Sequence, residues 1–240
     1  MKPKNHRARK QKWEEKSRHY KLNSAREATF ILTVKNTLKL LGNRKKGKVL
    51  DIGCGFGEID ILLAQNTDFK ITGCDISEIA VKAAQENIKK AGLAHRIKIE
   101  KGDVYKLKYP SNSFDVVLSF GYVSAATYPG VQKEVSRVLK PGGILICDFI
   151  NCLSFYKFFN TFKRYLKKQE IPYYVSLTGI CREFEKEDLI FAKQRLFNIY
   201  PPIDLRFNPR NFLFFEDTIG KIFRFLLGRV RLVKFQKIKP

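Results

Sequence analysis

Between positions 51 and 60 the chain places Asp51, Gly53, Gly55, Gly57, Glu58 and Asp60, directly after the apolar run Val49-Leu50. A glycine-rich turn at the end of a buried strand lets the backbone turn sharply and approach a ligand closely. The dinucleotide fingerprint G-x-G-x-x-G/A ends on a small residue, where a helix packs close and a pyrophosphate sits. Counted from Gly53 that last position is Glu58, and counted from Gly55 it is Asp60. A carboxylate there repels phosphate, so this acidic loop favours a ligand without phosphate that carries positive charge. Two more carboxylates, Asp75 and Asp103, each follow a short apolar run.

Other chemistry is thinly represented. The cysteines Cys54, Cys74, Cys147, Cys152 and Cys181 show no CxxC spacing, and four of them sit in or beside apolar runs. They read as a reduced set, with no metal site and no disulfide framework, in a cytoplasmic setting. The histidines are His6, His19 and His95, and none falls near the glycine loop. No apolar run approaches the roughly 18 residues that span a bilayer, and the basic N-terminus has no apolar stretch of a secretory signal.

Alternating strands and helices must position these groups. Residues 1–21 read as a mobile basic arm. Ser24 and Glu27 form a capping box for a helix over 25–41, which Gly42 ends, and 43–48 is a polar turn. Strands are expected over 48–53, 70–75, 97–103, 114–119 and 144–150. Helices are expected over 58–65, over 78–91 with Ser77 as cap, and from Val131 to the Pro141-Gly142-Gly143 stop. Such alternation means a parallel sheet with helices on both faces. Beyond 150, aromatic residues from Phe155 to Tyr165 recur at helical spacing. Two further strands, over 188–197 and 229–237, flank a short helix over 216–227.

VLDIGCGFGE resembles motif I of class I S-adenosylmethionine (SAM)-dependent methyltransferases, of the small-molecule, type 11-like kind. GCDIS, KGDVYKL, FDVVLSFGYV and RVLKPGGILI resemble the next four motifs in order and spacing. The acidic loop suits SAM, which has a sulfonium and an ammonium and no phosphate. The resemblance, over about 48–150, implies a three-layer Rossmann-like sandwich. Its mostly parallel seven-stranded sheet would have the order 3-2-1-4-5-7-6, with the last strand antiparallel. An N-terminal helical extension (1–47, a cap) would precede the domain at 48–240, with 151–187 as a basic aromatic lid or insertion. It implies that Asp75 accepts both ribose hydroxyls, with Ile76 beside it, and that Asp103 and the Val104 N–H meet adenine. Asp51 would help hold the methionine amino end, directly or through water, and Gly53, Cys54 and Gly55, with Gly57, would lie against the adenosyl and methionine parts. Ser119 and Phe120 would line the path to the sulfonium.

The chain departs from the [DN]-P-P-[YF] pattern of amino-methylating enzymes, having FGYV after the fourth strand. No general base carries over, so catalytic residues stay unassigned; Tyr20, next to His19, and Tyr122 are candidates for the acceptor side. The charge is uneven: +13 over 1–48, zero over 49–150 and +10 over 151–240, within a total of +23. Basic flanks suit an anionic partner. Three readings follow: methylation of a small-molecule or lipid-like acceptor, with the 155–168 helix as a lid or resting on an anionic membrane surface; methylation of RNA tracked by the flanks; or SAM binding without catalysis.

Overall fold

The computed structural model describes residues 6–121, 130–150, 176–197 and 230–238. The strands are β1 (Lys46–Ile52), β2 (Asp68–Asp75), β3 (Ile97–Lys101), β4 (Phe114–Ser119), β5 (Leu139–Ile150), β6 (Leu189–Phe197) and β7 (Val230–Lys237). The helices are α1 (His6–Arg18), α2 (Ser24–Leu41), α3 (Glu58–Gln65), α4 (Glu78–Lys90), α5 (Val131–Val138) and, numbered here as α6, Leu177–Glu185. The strands form one seven-stranded sheet in the order β3-β2-β1-β4-β5-β7-β6, as expected. β1 to β5 run parallel, and β7 is antiparallel to both β5 and β6.

Period-2 alternation divides each central strand between two cores. Val49, Val116, Leu118, Ile144 and Ile146 face α2, α3 and α4, where Leu32, Leu63, Ala84 and Ile88 pack. Leu50, Ile52, Val117, Leu145 and Cys147 face α5 and α6, against Val131, Val135, Ile180 and Phe184. The two cores give the three-layer sandwich its shape. They also aim Asp51 toward α3, on the same side as Val49.

Several boundaries differ from expectation. The arm is not irregular: His6–Arg18 is helical and packs on α4. Its sequence is polar all round apart from Trp13, a pattern that gives a helix little stability by itself. The cap of α2 is Asn23 rather than Ser24, and Asn23 Oδ1 accepts the Arg26 N–H at 3.0 Å. β1 begins at Lys46, inside the expected polar turn, because it pairs with β2 from Asp68 onward. β5 begins at Leu139, before Pro141-Gly142-Gly143. Phe114 pairs with Leu139 and Val116 with Ile144, so the Pro-Gly-Gly segment is extra chain looped out of the ladder, with Gly142 at φ 71°. It interrupts the strand rather than preceding it.

The expected insertion at 151–187 ends in a core helix. Ile180 and Phe184 of α6 are buried, and the Phe184 ring lies 4.5 Å from that of Phe235 in β7. The aromatic helix expected over 155–168, the helix over 216–227 and Tyr122 lie outside the described residues. Much of the described basic C-terminal part is absorbed by the fold. Lys237 Nζ donates to the carbonyls of Ser136 and Leu139, Lys234 Nζ to that of Leu40, and Arg195 Nε to Asn36 Oδ1. Among the described residues no helix is long and apolar enough to cross a membrane.

Candidate functional site

A cavity of about 320 Å³ opens at the carboxyl ends of β1, β2, β3 and β4. Parallel α/β sheets collect ligands there, beside the point where strand order reverses, here between β1 and β4. The floor is the turn after β1. Gly53 (φ 79°) and Gly55 (φ 57°) hold left-handed conformations, and a side chain at either would meet no neighbouring atom within 4 Å. Bare backbone therefore faces the cavity. Behind it, Gly73 lets Cys54 lie flat against β2, since a Cβ at Gly73 would stand 3.0 Å from both Cβ and Sγ of Cys54.

Three strand ends supply carboxylates. Asp75 is held rigidly: Oδ2 accepts the Gly55 N–H at 3.1 Å and Oδ1 the Ser77 N–H at 2.8 Å. Each oxygen keeps a further lone-pair direction. Burial pushes its carboxyl above the usual range, against the opposing effect of these backbone donors. Asp103 Oδ1 accepts the Tyr105 N–H at 3.1 Å. Asp51 reaches the cavity wall although it is only 2 % exposed. Glu58, at the start of α3, also lines it.

The upper wall comes from the N-terminal extension. Trp13, Lys16, Ser17 and Tyr20 line the cavity with Phe30 of α2. Tyr20 clasps the glycine loop: its ring stacks on Phe56 at 4.0 Å, its hydroxyl donates to Glu58 Oε1 at 2.7 Å, and the Arg26 guanidinium lies 4.9 Å over the ring. Burial and the Glu58 carboxylate push the Tyr20 hydroxyl far above its ordinary value, so it stays protonated.

Of the residues singled out from the sequence, Asp51, Gly53, Cys54, Gly55, Asp75, Ile76, Asp103, Val104, Phe120 and Tyr20 converge on this one cavity. Gly57 and Ser119 are not on its wall. Gly57 is the left-handed cap of α3 and faces α4, where a Cβ would lie 3.4 Å from Ala84 and Ile88. Ser119 is fully buried, its Oγ 3.4 Å from the Ile52 carbonyl. Asp60 also departs from the acidic-loop expectation: it is wholly buried and turned toward Asp51 under the loop. The wall residues Trp13, Lys16, Phe30 and Phe56 were not singled out by the sequence. Trp13 alone carries a signal, as the one aromatic residue in the otherwise polar α1. The Cys54 thiol is pushed well above its ordinary value by burial and neighbouring carboxylates, so it is no nucleophile at neutral pH. His95 lies across the molecule, in a second cavity beside Lys70 and Thr72.

A family model described as a methyltransferase domain matches residues 43–188. The chain belongs to the methyltransferase-domain family. The match runs from the end of α2 into the turn before β6, and so takes in every strand end around the cavity. Among curated proteins, the demethylmenaquinone methyltransferase of Listeria welshimeri is 36% identical over 138 residues, covering 55% of this chain and 58% of that enzyme. The sterol 24-C-methyltransferase of Aspergillus fumigatus is 37% identical over 105 residues, covering 43% of this chain and 28% of that one. The chain thus spans little more than half the length of the first of these relatives. Two solved structures share the fold. The [4+2]-cyclase SpnF has a TM-score of 0.62 at 16% identity, covering 88% of this chain and 82% of its own. Geranyl diphosphate methyltransferase in complex with SAM has a TM-score of 0.62 at 13% identity, covering 87% and 85%.

Proposed function

We propose that the chain is a SAM-dependent methyltransferase acting on a small, lipid-like acceptor. The observation that carries this reading is a single cavity combining four carboxylates, a bare glycine floor and an aromatic upper wall. The donor set fits the cofactor. Asp75, with two oxygens preset by backbone N–H groups, suits the paired ribose hydroxyls. Asp103 and the Val104 N–H suit the adenine edge, and Ile76 packs beside it. Asp51 suits the cationic amino-acid end, with Gly53, Cys54 and Gly55 beneath. When bound, SAM supplies an electrophilic methyl group on a positively charged sulfur.

The protein's own part is to align the partners and exclude water. Trp13, Tyr20, Phe30 and Phe120 make a surface that takes apolar, planar groups rather than charged ones. Demethylmenaquinone and sterol methyltransferases among the similar proteins support an acceptor of that kind. Among the described residues the cavity wall carries no histidine, and the Tyr20 hydroxyl is held protonated against Glu58. An acceptor that arrives already ionised or electron-rich suits such a site.

Two measurements test the reading. Calorimetry with SAM should show binding in the micromolar range. Asp75→Ala, by removing two charge-assisted hydrogen bonds worth about 1.5–3 kcal/mol each, should weaken it at least a hundredfold. A radiolabelled-methyl screen over cell extract, split into lipid, small-molecule, RNA and protein fractions, should label the lipid or small-molecule fraction. Label confined to RNA or protein would refute the acceptor class.

A further inference from the structure

Behind Asp51 of the cavity wall lies a second acid, Asp60, that the cofactor reading leaves unexplained. Asp51 on β1 and Asp60 on α3 face one another across the contact between sheet and helix. Asp51 is 2 % exposed and Asp60 is 0 % exposed. Asp51 Oδ1 and both oxygens of Asp60 receive no hydrogen bond from any backbone or side-chain donor among the described residues. Neither carboxyl has an ion pair among the described residues. The groups acting on them by charge are all acids. Asp75 of β2 and Asp148 of β5 act on Asp51, and Glu58 of α3 acts on Asp60. The Cys54 and Cys74 thiols stand in the same acidic field.

Two adjacent ionised carboxylates without a counter-charge are too costly in such surroundings. One carboxyl must keep a proton and donate it to the other, as in other close carboxyl pairs. Only Asp51 of the two touches the cavity, so a cation there would supply the missing positive charge from the one open side.

We propose that Asp51 and Asp60 share a proton that the cationic end of SAM displaces, making cofactor binding proton-linked, with Asp60 a positioning residue acting through Asp51. This rests on the cofactor reading above. The sign follows from the pair's chemistry. Burial holds Asp51 well above the carboxylate range and Asp60 up to about 7, so the free protein still carries a proton here at neutral pH. A cation favours the deprotonated pair, so affinity rises with pH, by up to about tenfold per unit for one proton released.

The experiment is calorimetry of the full chain with SAM from pH 6 to 8, in two buffers of different ionisation enthalpy, on wild type and Asp60→Asn. The substituted amide keeps the shape of the carboxyl and donates an N–H to Asp51 without needing a proton. The ligand's own amino group titrates equally against both proteins, so the difference between them reports the pair. Wild type should release up to one proton more per SAM bound than the variant, and the variant's Kd should vary less with pH. A second readout is the infrared C=O stretch of a protonated carboxyl, present in free wild type and lost when SAM binds. It serves alone if Asp60→Asn fails to fold. Equal proton release and equal pH slopes, or a stretch that SAM leaves unchanged, would overturn the proposal while leaving the cofactor assignment intact. No SAM binding to wild type at any pH would overturn both.

Discussion

Docking of α1 over the cavity should depend on one side chain, Tyr20. The helix has 13 residues, too few to be stable alone in water, and only Trp13 among them is a large apolar residue. Its junction with α2 is pinned where Tyr20 meets Phe56, Glu58 and Arg26. The hydrogen bond to a charged, half-buried carboxylate is worth about 1.5 kcal/mol, at the low end for such bonds. The stacked ring adds about 1 kcal/mol and the guanidinium over its other face about 0.5 kcal/mol. Tyr20→Phe should therefore raise the undocked population of α1 about tenfold, and Tyr20→Ala more than a hundredfold. Native-state hydrogen exchange reads this directly: protection of the α1 amides should fall by those factors, with the amides of β1, β4 and β5 unchanged. SAM affinity should weaken in the same order, because Tyr20 and Trp13 line the cavity. If Tyr20→Ala left α1 protection within twofold of wild type, the clasp would not be what holds the helix.

Further outcomes follow from packing. Phe184→Ala, in a segment expected from sequence to be a lid or insertion, should destabilise the fold by about 3–5 kcal/mol, since the ring is fully buried against Phe235; a chemical denaturation midpoint unchanged by this variant would contradict the core assignment of α6. Gly73→Ala should cost about 1–3 kcal/mol, because its methyl would crowd Cys54 and Ile99. A thermal melt should show this as a lower Tm, and a Tm equal to wild type would mean that β2 has room to spare.

The order of the central elements and the strand-end carboxylates were legible because a buried parallel strand, a glycine turn and a capped helix each leave a local mark. Ser77 and the run Ala80, Ala84, Ile88 announced α4 almost to the residue. The α1 helix was illegible for the opposite reason. HRARKQKWEEKSR has no apolar stripe, and its helical state comes from packing on α4 and the Tyr20 clasp rather than from its own pattern. Pro141-Gly142-Gly143 reads as a stop in one dimension, yet pairing with β4 carries the strand across it. Asp60 looked like a ligand-facing acid, two residues after Glu58. One step of 100° per residue around α3 sends Glu58 to the cavity and Asp60 to the sheet. The basic C-terminal flank suggested an anionic partner, whereas Lys234 and Lys237 satisfy main-chain carbonyls within the fold and Arg195 and Arg231 satisfy side-chain amides.

The position of β7 has a consequence for how the chain is made. β6 is synthesised first, but among the described strands its sheet neighbour is β7, which lies between it and β5. Until residues 230–237 leave the ribosome, β6 lacks its native partner, and β5 leaves unpaired the edge that β7 covers in the finished sheet. A nascent chain halted before Val230 would therefore present two open strand edges at once, β5 and β6, both rich in apolar residues. Such edges are templates for aggregation. β7 is thus the keystone of the sheet, since β5 and β6 are joined only through it in the described strand order.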